Sequence, residues 1–504
     1  MPETAGSPPT QSDGSGQGRI ADPGTPKAAR LAWVILLIAL PVVVIFQQLS
    51  AHATPDTEPD QIAAPTGDNV EVSTRLGARA SFALGQGGAS FQQEVDDAAT
   101  TPLQRFRAAI SAGEIIGPEE AADRLDGIID DLRLAADEFY PADDANAQAR
   151  RGQLIEDAEL LRPVYAELAE SEDARAAELL DAEALEGLKT RHGFFGELVA
   201  IAGLSKNDAK RVELLDGALV PLVFLGLFIG VVGLAVLLGV ALGITALVLV
   251  GMGSVKFTMP RPAPGGSVYL ESAVLFVVCF ALLQIVQGLA ALLGETALMI
   301  AGMLALPAQW LLLLVPLWPL LRGTGWQRLR DDLGLRAGKG VLVEIVAGVA
   351  GYLALLPLVL AGMALMFVLL AVQQQLFPGD GDAMAPTNPI LELVRTLDPV
   401  LLIMLFTLAT IWAPLCEELV FRGALFRHMR ARLALPVAAV LSAMVFGLMH
   451  GYAALQLIPV TILGFNFAMI RAWRGSLIGP IVAHALNNAV VLGLLFALAF
   501  VLYG

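Results

Sequence analysis

Val400–Cys416, VLLIMLFTLATIWAPLC, runs seventeen largely apolar residues straight into Glu417-Glu418-Leu419-Val420-Phe421-Arg422. A helix of that length covers most of a hydrocarbon core about 30 Å thick. Each charged side chain near a bilayer centre costs about 2.5–3.5 kcal/mol even on the lenient insertion scale. Two further patterns, Phe446-Gly447-Leu448-Met449-His450 and His484-Ala485-Leu486-Asn487-Asn488, place imidazole and amide groups in other apolar stretches. Polar groups so clustered along the chain persist where they share a polar cavity between helices. That cavity is the first place to look for chemistry.

Working outward, the chain has 504 residues, of which 56% are hydrophobic. Its mean hydropathy is +0.66. The apolar residues fall in long runs rather than short alternating segments, which points to membrane helices and away from an outer-membrane barrel. The predicted fold is all-α: a polytopic membrane helical bundle of about nine spans, with an inserted acidic α-helical domain outside the cytoplasm. The spans fall at Leu31–Phe46, Leu219–Met252, Val268–Leu293, Thr296–Leu321, Val341–Val372, Val400–Cys416, Pro436–Tyr452, Ala454–Ile470 and Ser476–Leu502. Arg and Lys collect in alternate short loops, such as Arg322 to Lys339 and Arg422 to Arg432, which marks those loops as cytoplasmic. The N-terminus is then cytoplasmic, and residues 54–216 and the C-terminus lie outside. The Gly-rich second span suggests close helix packing. The sixth helix is expected to continue past Arg422, because otherwise Glu417 and His450 would lie at opposite membrane faces.

Residues 1–30, rich in Pro, Gly, Ser and Thr, read as a disordered cytoplasmic tail. A membrane anchor follows at 31–50, where Ser50-Ala51-His52-Ala53 has the look of a cleavage site although the long tail favours an uncleaved anchor. The remaining parts are a flexible linker at 54–90, an acidic helical domain at 91–216, a first part of the bundle at 217–389 and a core at 390–504. The segment from Thr54 to Asp216 carries 34 acidic and 15 basic side chains, more than the whole net charge of −16. The remaining loops are neutral to basic, and a nucleic-acid partner, which needs a basic surface, is disfavoured. The helical domain should hold four to six helices, with an apolar stripe at 121–132. With Cys279 and Cys416 as the only cysteines, a disulfide framework is excluded. Cys416 reads as a small buried hydrophobe, and His428 as a surface residue in a basic loop. Glu344 either snorkels to the interface or lines the cavity.

Helix geometry separates the two glutamates. Neighbours point about 100° apart, so Glu417 and Glu418 cannot face one partner. Glu418 and Arg422, four apart, form an ion pair, which leaves Glu417 free to act as general base or acid. Phe446, one turn before His450, fixes and shields that ring. His484 and Asn488 share a helix face and can direct two hydrogen bonds at one point, as stabilising an oxyanion requires.

The ordered set EExxxR, FxxxH and HxxxN resembles the CAAX prenyl protease and bacteriocin-processing family of intramembrane endopeptidases. That resemblance covers about residues 390–504. It implies an enzyme in which Glu417 and His450 activate water for attack on a peptide bond. In the same reading, His484 and Asn488 form the oxyanion hole, while Glu418, Arg422 and Phe446 support the site. The implied partners are the lipid bilayer and a protein or peptide substrate, with lipidation of the substrate left open. No cofactor is implied. The chain has no HExxH, and zinc stays open without a residue pattern that demands it. Two alternatives remain: a non-catalytic relative acting as membrane scaffold or immunity factor, and a proton-coupled transporter with a Glu/His relay.

Overall fold

In the computed structural model the described residues are 11–12, 18–52, 69–85, 88–134, 139–141, 144–217, 219–376 and 399–503. The acidic loop at 377–382 lies outside them. Apart from a pair of two-residue strands, Gln11–Ser12 with Gly18–Arg19, the regular elements among them are helices. The chain divides into two compact units.

The first unit holds the membrane helices, residues 230–376 and 400–493, together with the described N-terminal residues. Seven helices among the described residues are long and apolar enough to cross a membrane: 26–47, 219–251, 268–290, 341–373, 399–430, 454–474 and 478–502. Two shorter apolar helices, Ala308–Leu321 and Leu435–Leu448, occupy the expected fourth and seventh spans. The protein is a multi-pass membrane protein with a helical bundle. Close packing of the Gly-rich span is real at two positions. A Cβ on Gly239 or Gly243 would stand 2.4 or 2.7 Å from the carbonyl oxygens of Leu353 and Ala354. Both clashes are with backbone, so only glycine permits this approach.

Pro399–Arg430 is one continuous helical rod, as the sequence reading anticipated. It is not uniform. Leu408–Trp412 and Glu418–Leu425 are π-helical turns, with a short α-helical stretch, Ala413–Glu417, between them. The N–H of Ala413 bonds to the carbonyl of Leu408, five residues back. Pro414 follows directly and supplies no N–H, which disrupts the regular ladder at the same place. Glu417 thus lies near the middle of the rod rather than at its end. The buried faces of this rod, of Val268–Leu292 and of Leu435–Leu448 meet in one core that includes Phe276, Cys416, Phe421 and Phe446.

The expectation of a disordered tail reaching residue 30 is corrected for its last part. Ala263 N–H donates to the Ile20 carbonyl at 3.1 Å, and Ser267 and Val268 N–H donate to the Pro23 carbonyl at 3.0 and 3.1 Å. Asp22 receives the Arg427 guanidinium at 2.7 Å, and Arg427 also pairs with Asp332 at 2.8 Å. Pro26 then opens the first helix. A charged partner on another element holds this segment, which composition alone does not reveal. His428 is corrected too. It is buried, 3.2 Å from Arg432 and tilted against Trp33, because the rod carries it inward past Arg422. Glu344 is buried as well, bonded by Arg474 at 2.7 and 2.9 Å and by the Lys339 N–H.

The second unit contains the acidic helices. Among the described residues eight helical segments fall within or overlap 91–216, more than the four to six expected, because several are short. Asn69–Leu84 is helical, so the expected linker ends earlier than residue 90. The anticipated stripe is present in Pro118–Leu134, where Ala121, Leu125, Ile128, Ile129 and Leu132 are buried against Phe106, Leu161 and Tyr165. Thr101 caps Pro102–Ile115 with a reciprocal Gln104 bond. His192 is buried, its Nε2 2.9 Å from Asp157, which also takes Arg191 at 2.6 Å.

Candidate active site

The motif residues singled out in the sequence lie in the first unit, on three elements of the bundle, and a fourth helix lines them. Glu417, Glu418 and Arg422 come from the rod, and His450 follows Leu435–Leu448. His484 and Asn488 come from the last helix, Ile478–Tyr503. Leu457–Arg474 contributes a wall. Gly464 packs against Ala443 and Phe446, while Phe467 stacks on His484 at 4.9 Å between ring centroids.

Glu418 and Arg422 form the expected pair at 2.8 Å, both with 0% side-chain exposure. Arg422 also donates to the Gly464 carbonyl at 3.1 Å and lies 4.2 Å above the Phe446 ring. A buried cation is tolerable only with such compensation from carboxylate, carbonyl and π-face. The same Glu418 oxygen faces Nδ1 of His484 at 3.0 Å. A carboxylate accepts only, so Nδ1 carries the proton. Nε2 of His484 lies 3.9 Å from Glu417 Oε2. One imidazole therefore stands between the two adjacent glutamates, an arrangement the sequence reading missed. The i,i+4 rule accounts for Glu418 and Arg422 but cannot find a third partner 66 residues away.

Glu417 is the less enclosed acid, with 16% side-chain exposure, and its Oε2 is buried without a hydrogen-bond partner. At 3.9 Å the gap to His484 is too long for a direct hydrogen bond. Phe446 fills the place expected of it. Its ring centroid is 4.7 Å from that of His450 and 5.8 Å from that of His484. His450 Nδ1 lies 2.8 Å from the Phe446 carbonyl. That carbonyl can only accept, so in neutral His450 the lone pair belongs to Nε2. Asn488 departs from the simplest expectation, because one of its amide N–H groups is already given to the Ala409 carbonyl at 2.8 Å. No group of three His, Cys, Asp or Glu side chains arranged to hold a metal ion occurs among the described residues.

The three motifs thus meet around one buried aromatic ring. Residues 399–490 match the model of the type II CAAX prenyl endopeptidase Rce1-like family. This stretch is an Rce1-like domain. The chain is also similar to the "Putative membrane peptidase YdiL" of Bacillus subtilis (strain 168), with 28% identity over 113 residues. That similarity covers 22% of this chain and 44% of the relative, so the chain spans less than half of the protein it matches. No solved structure matches. The Rce1-like domain lies within the 390–504 core delimited from the motifs and contains all seven motif residues named above.

Proposed function

We propose that the Rce1-like domain is an intramembrane endopeptidase that hydrolyses a peptide bond of a membrane-associated protein or peptide with activated water. The observation that carries this reading is the Glu417 carboxylate, whose buried Oε2 has no hydrogen-bond partner and faces the His484 imidazole at 3.9 Å. The water bonds to Glu417 and to His450 Nε2, and Glu417 takes up its proton as the oxygen attacks. As the water oxygen attacks the carbonyl carbon, the carbonyl oxygen gains charge. His484 Nε2 can donate to that oxygen only as imidazolium, since Nδ1–H is committed to Glu418. The carboxylates at 3.0 and 3.9 Å provide the countercharge for that form. The second N–H of Asn488 is the other donor. Collapse of the intermediate breaks the C–N bond, and the proton taken up by Glu417 passes to the leaving amine. In this reading the N-terminus is cytoplasmic, residues 54–216 and the C-terminus lie outside the cytoplasm, and the helical domain recruits or gates substrate.

The test compares new protein N-termini in membranes of cells expressing wild type or Glu417→Gln at matched levels. Products found only with wild type support the endopeptidase and identify its substrate. Identical profiles from two folded proteins refute it and favour a membrane scaffold.

A further inference from the structure

We infer that Asn487 and Pro414 are positioning residues that fix the single hydrogen-bond donor Asn488 can offer to the reaction. This deepens the endopeptidase reading and rests on it. The starting point is one backbone carbonyl. In a regular α-helix the Ala409 oxygen would accept from the N–H of residue 413. Here that N–H is given to Leu408. The next donor in the π register would be residue 414, which is proline and has none. The Ala409 carbonyl is thereby left over in the middle of a membrane helix, where an unmet backbone group is costly.

Asn488 fills that vacancy from the last helix, with Nδ2 donating at 2.8 Å. A carbonyl accepts only, so the amide must present its NH2 and not its oxygen to Ala409. On its other side the Asn488 oxygen accepts from Asn487 Nδ2 at 3.2 Å. Turning the Asn488 amide over would lose both bonds at once and set oxygen against oxygen at Ala409. Two of its polar directions are thus settled, and one N–H remains. Asn488 follows His484 by four residues, so that N–H belongs to the same helix face as the imidazole. A free asparagine amide offers donor and acceptor in alternation, and its oxygen would repel a developing oxyanion. The proline-made carbonyl and the neighbouring amide convert it into a donor of one orientation, which preorganised charge stabilisation requires.

The isosteric variant Asn487→Asp removes the donor to Asn488 with almost no change in volume. The experiment measures kcat and KM for wild type, Asn487→Asp, Asn488→Ala and the double variant of the full chain in proteoliposomes. The probe is a quenched fluorescent peptide spanning the junction found in the N-terminal profile. Asn488→Ala lowers kcat by about 10²-fold, the usual cost of one oxyanion donor. Asn487→Asp lowers kcat by roughly tenfold with KM unchanged, since small misplacements of a catalytic group are felt strongly. In the Asn488→Ala background, Asn487→Asp has no further effect. Multiplying losses in the double variant, or a change confined to KM, overturns the positioning role and leaves the endopeptidase standing. Turnover by wild type no greater than by Glu417→Gln overturns the endopeptidase reading, and the positioning role with it.

Discussion

Two adjacent acids with opposite duties should fail in opposite ways. Glu418→Gln keeps the shape of the side chain but takes the counter-ion from Arg422, which has 0% exposure and no water to turn to. Removing one partner of a buried ion pair costs about 3–5 kcal/mol. The Gly464 carbonyl and the Phe446 face remain and offset part of this, which favours the lower end of that range. Glu417→Gln removes a charge that has no ion-pair partner closer than 3.9 Å, on a side chain with 16% exposure, so its stability cost should stay under about 1 kcal/mol. At roughly 2–4 °C per kcal/mol, Glu418→Gln lowers the melting temperature by about 6–20 °C and Glu417→Gln barely moves it. The assay is differential scanning fluorimetry of both variants in one detergent, read beside cleavage of the junction peptide. Glu417→Gln is folded and inactive, while Glu418→Gln is unstable. The pair is also imperfect, since Glu418 Oε2 and Arg422 Nε are buried without partners. Replacing both residues by leucine should therefore destabilise less than removing either charge alone. Equal melting temperatures for the two glutamine variants, or a double-leucine protein worse than both single variants, would refute the division of labour.

Three further outcomes are expected. His450→Ala should lower kcat by about 10²–10⁴-fold with little change in melting temperature, because its Nδ1 bonds only a carbonyl one turn away; retained turnover removes His450 from the mechanism. Asp22→Asn should open the N-terminal strap to limited proteolysis at residues 18–25 and cost about 1–3 kcal/mol, since Arg427 keeps Asp332; unchanged cleavage kinetics by the added protease refute the strap. In the acidic helical domain, burial, reinforced by nearby Arg107 and Arg191, holds His192 below its usual 6.5 against the opposing Asp157 bond. The unfolded chain then takes up a proton below pH 6.5 that the folded domain refuses, so this contribution to stability is lost as pH falls from 6.5. His192→Gln lacks that component, and hydrogen exchange of residues 154–168 that shows the same acid slope in both proteins contradicts it.

How much of this could be read from the sequence depended on the range of each interaction. Glu418 and Arg422 meet at four-residue spacing within one helix, so their pairing was visible, and the rod's continuation past Arg422 followed from the need to bring Glu417 near His450. The apolar stripe at 121–132 was legible for the same local reason. Asp22 with Arg427 joins residues 405 apart, and Glu344 with Arg474 joins residues 130 apart. Neither pairing leaves a periodic trace, so the tail looked disordered and Glu344 ambiguous. His428 was misread because its basic neighbours suggested a loop, although the helix continues through it. The His484–Glu418 contact was hidden because the motif spacing showed only what shared a face with His484. Pro414 was in plain view, but its consequence depends on the π register of the turn before it, which no pattern of apolar residues encodes.

The placement of charge explains why this site needs so much support. A lone carboxylate in an apolar bundle would bind a proton or draw water, and in either state it would be a poor base. The bundle instead buries a second carboxylate beside it and neutralises that one with a fixed guanidinium. Arginine suits the task where lysine would not. Its planar head bonds Glu418 and the Gly464 carbonyl at once while stacking on Phe446, and a single ammonium point charge cannot match all three. Glu418 then orients His484, and His484 faces Glu417. Glu417, the proposed base, is thus linked to the cation through an intermediary, without being tied up by the cation itself. Arg422→Lys tests this chain of support: the lysine can keep the ion pair with Glu418 but not the triple contact. Its melting temperature should fall by several degrees, corresponding to roughly 1–3 kcal/mol, and kcat should fall with it as His484 loses its fixed partner. A stable Arg422→Lys protein with wild-type turnover would mean that charge alone suffices, and that guanidinium geometry has no part in the site.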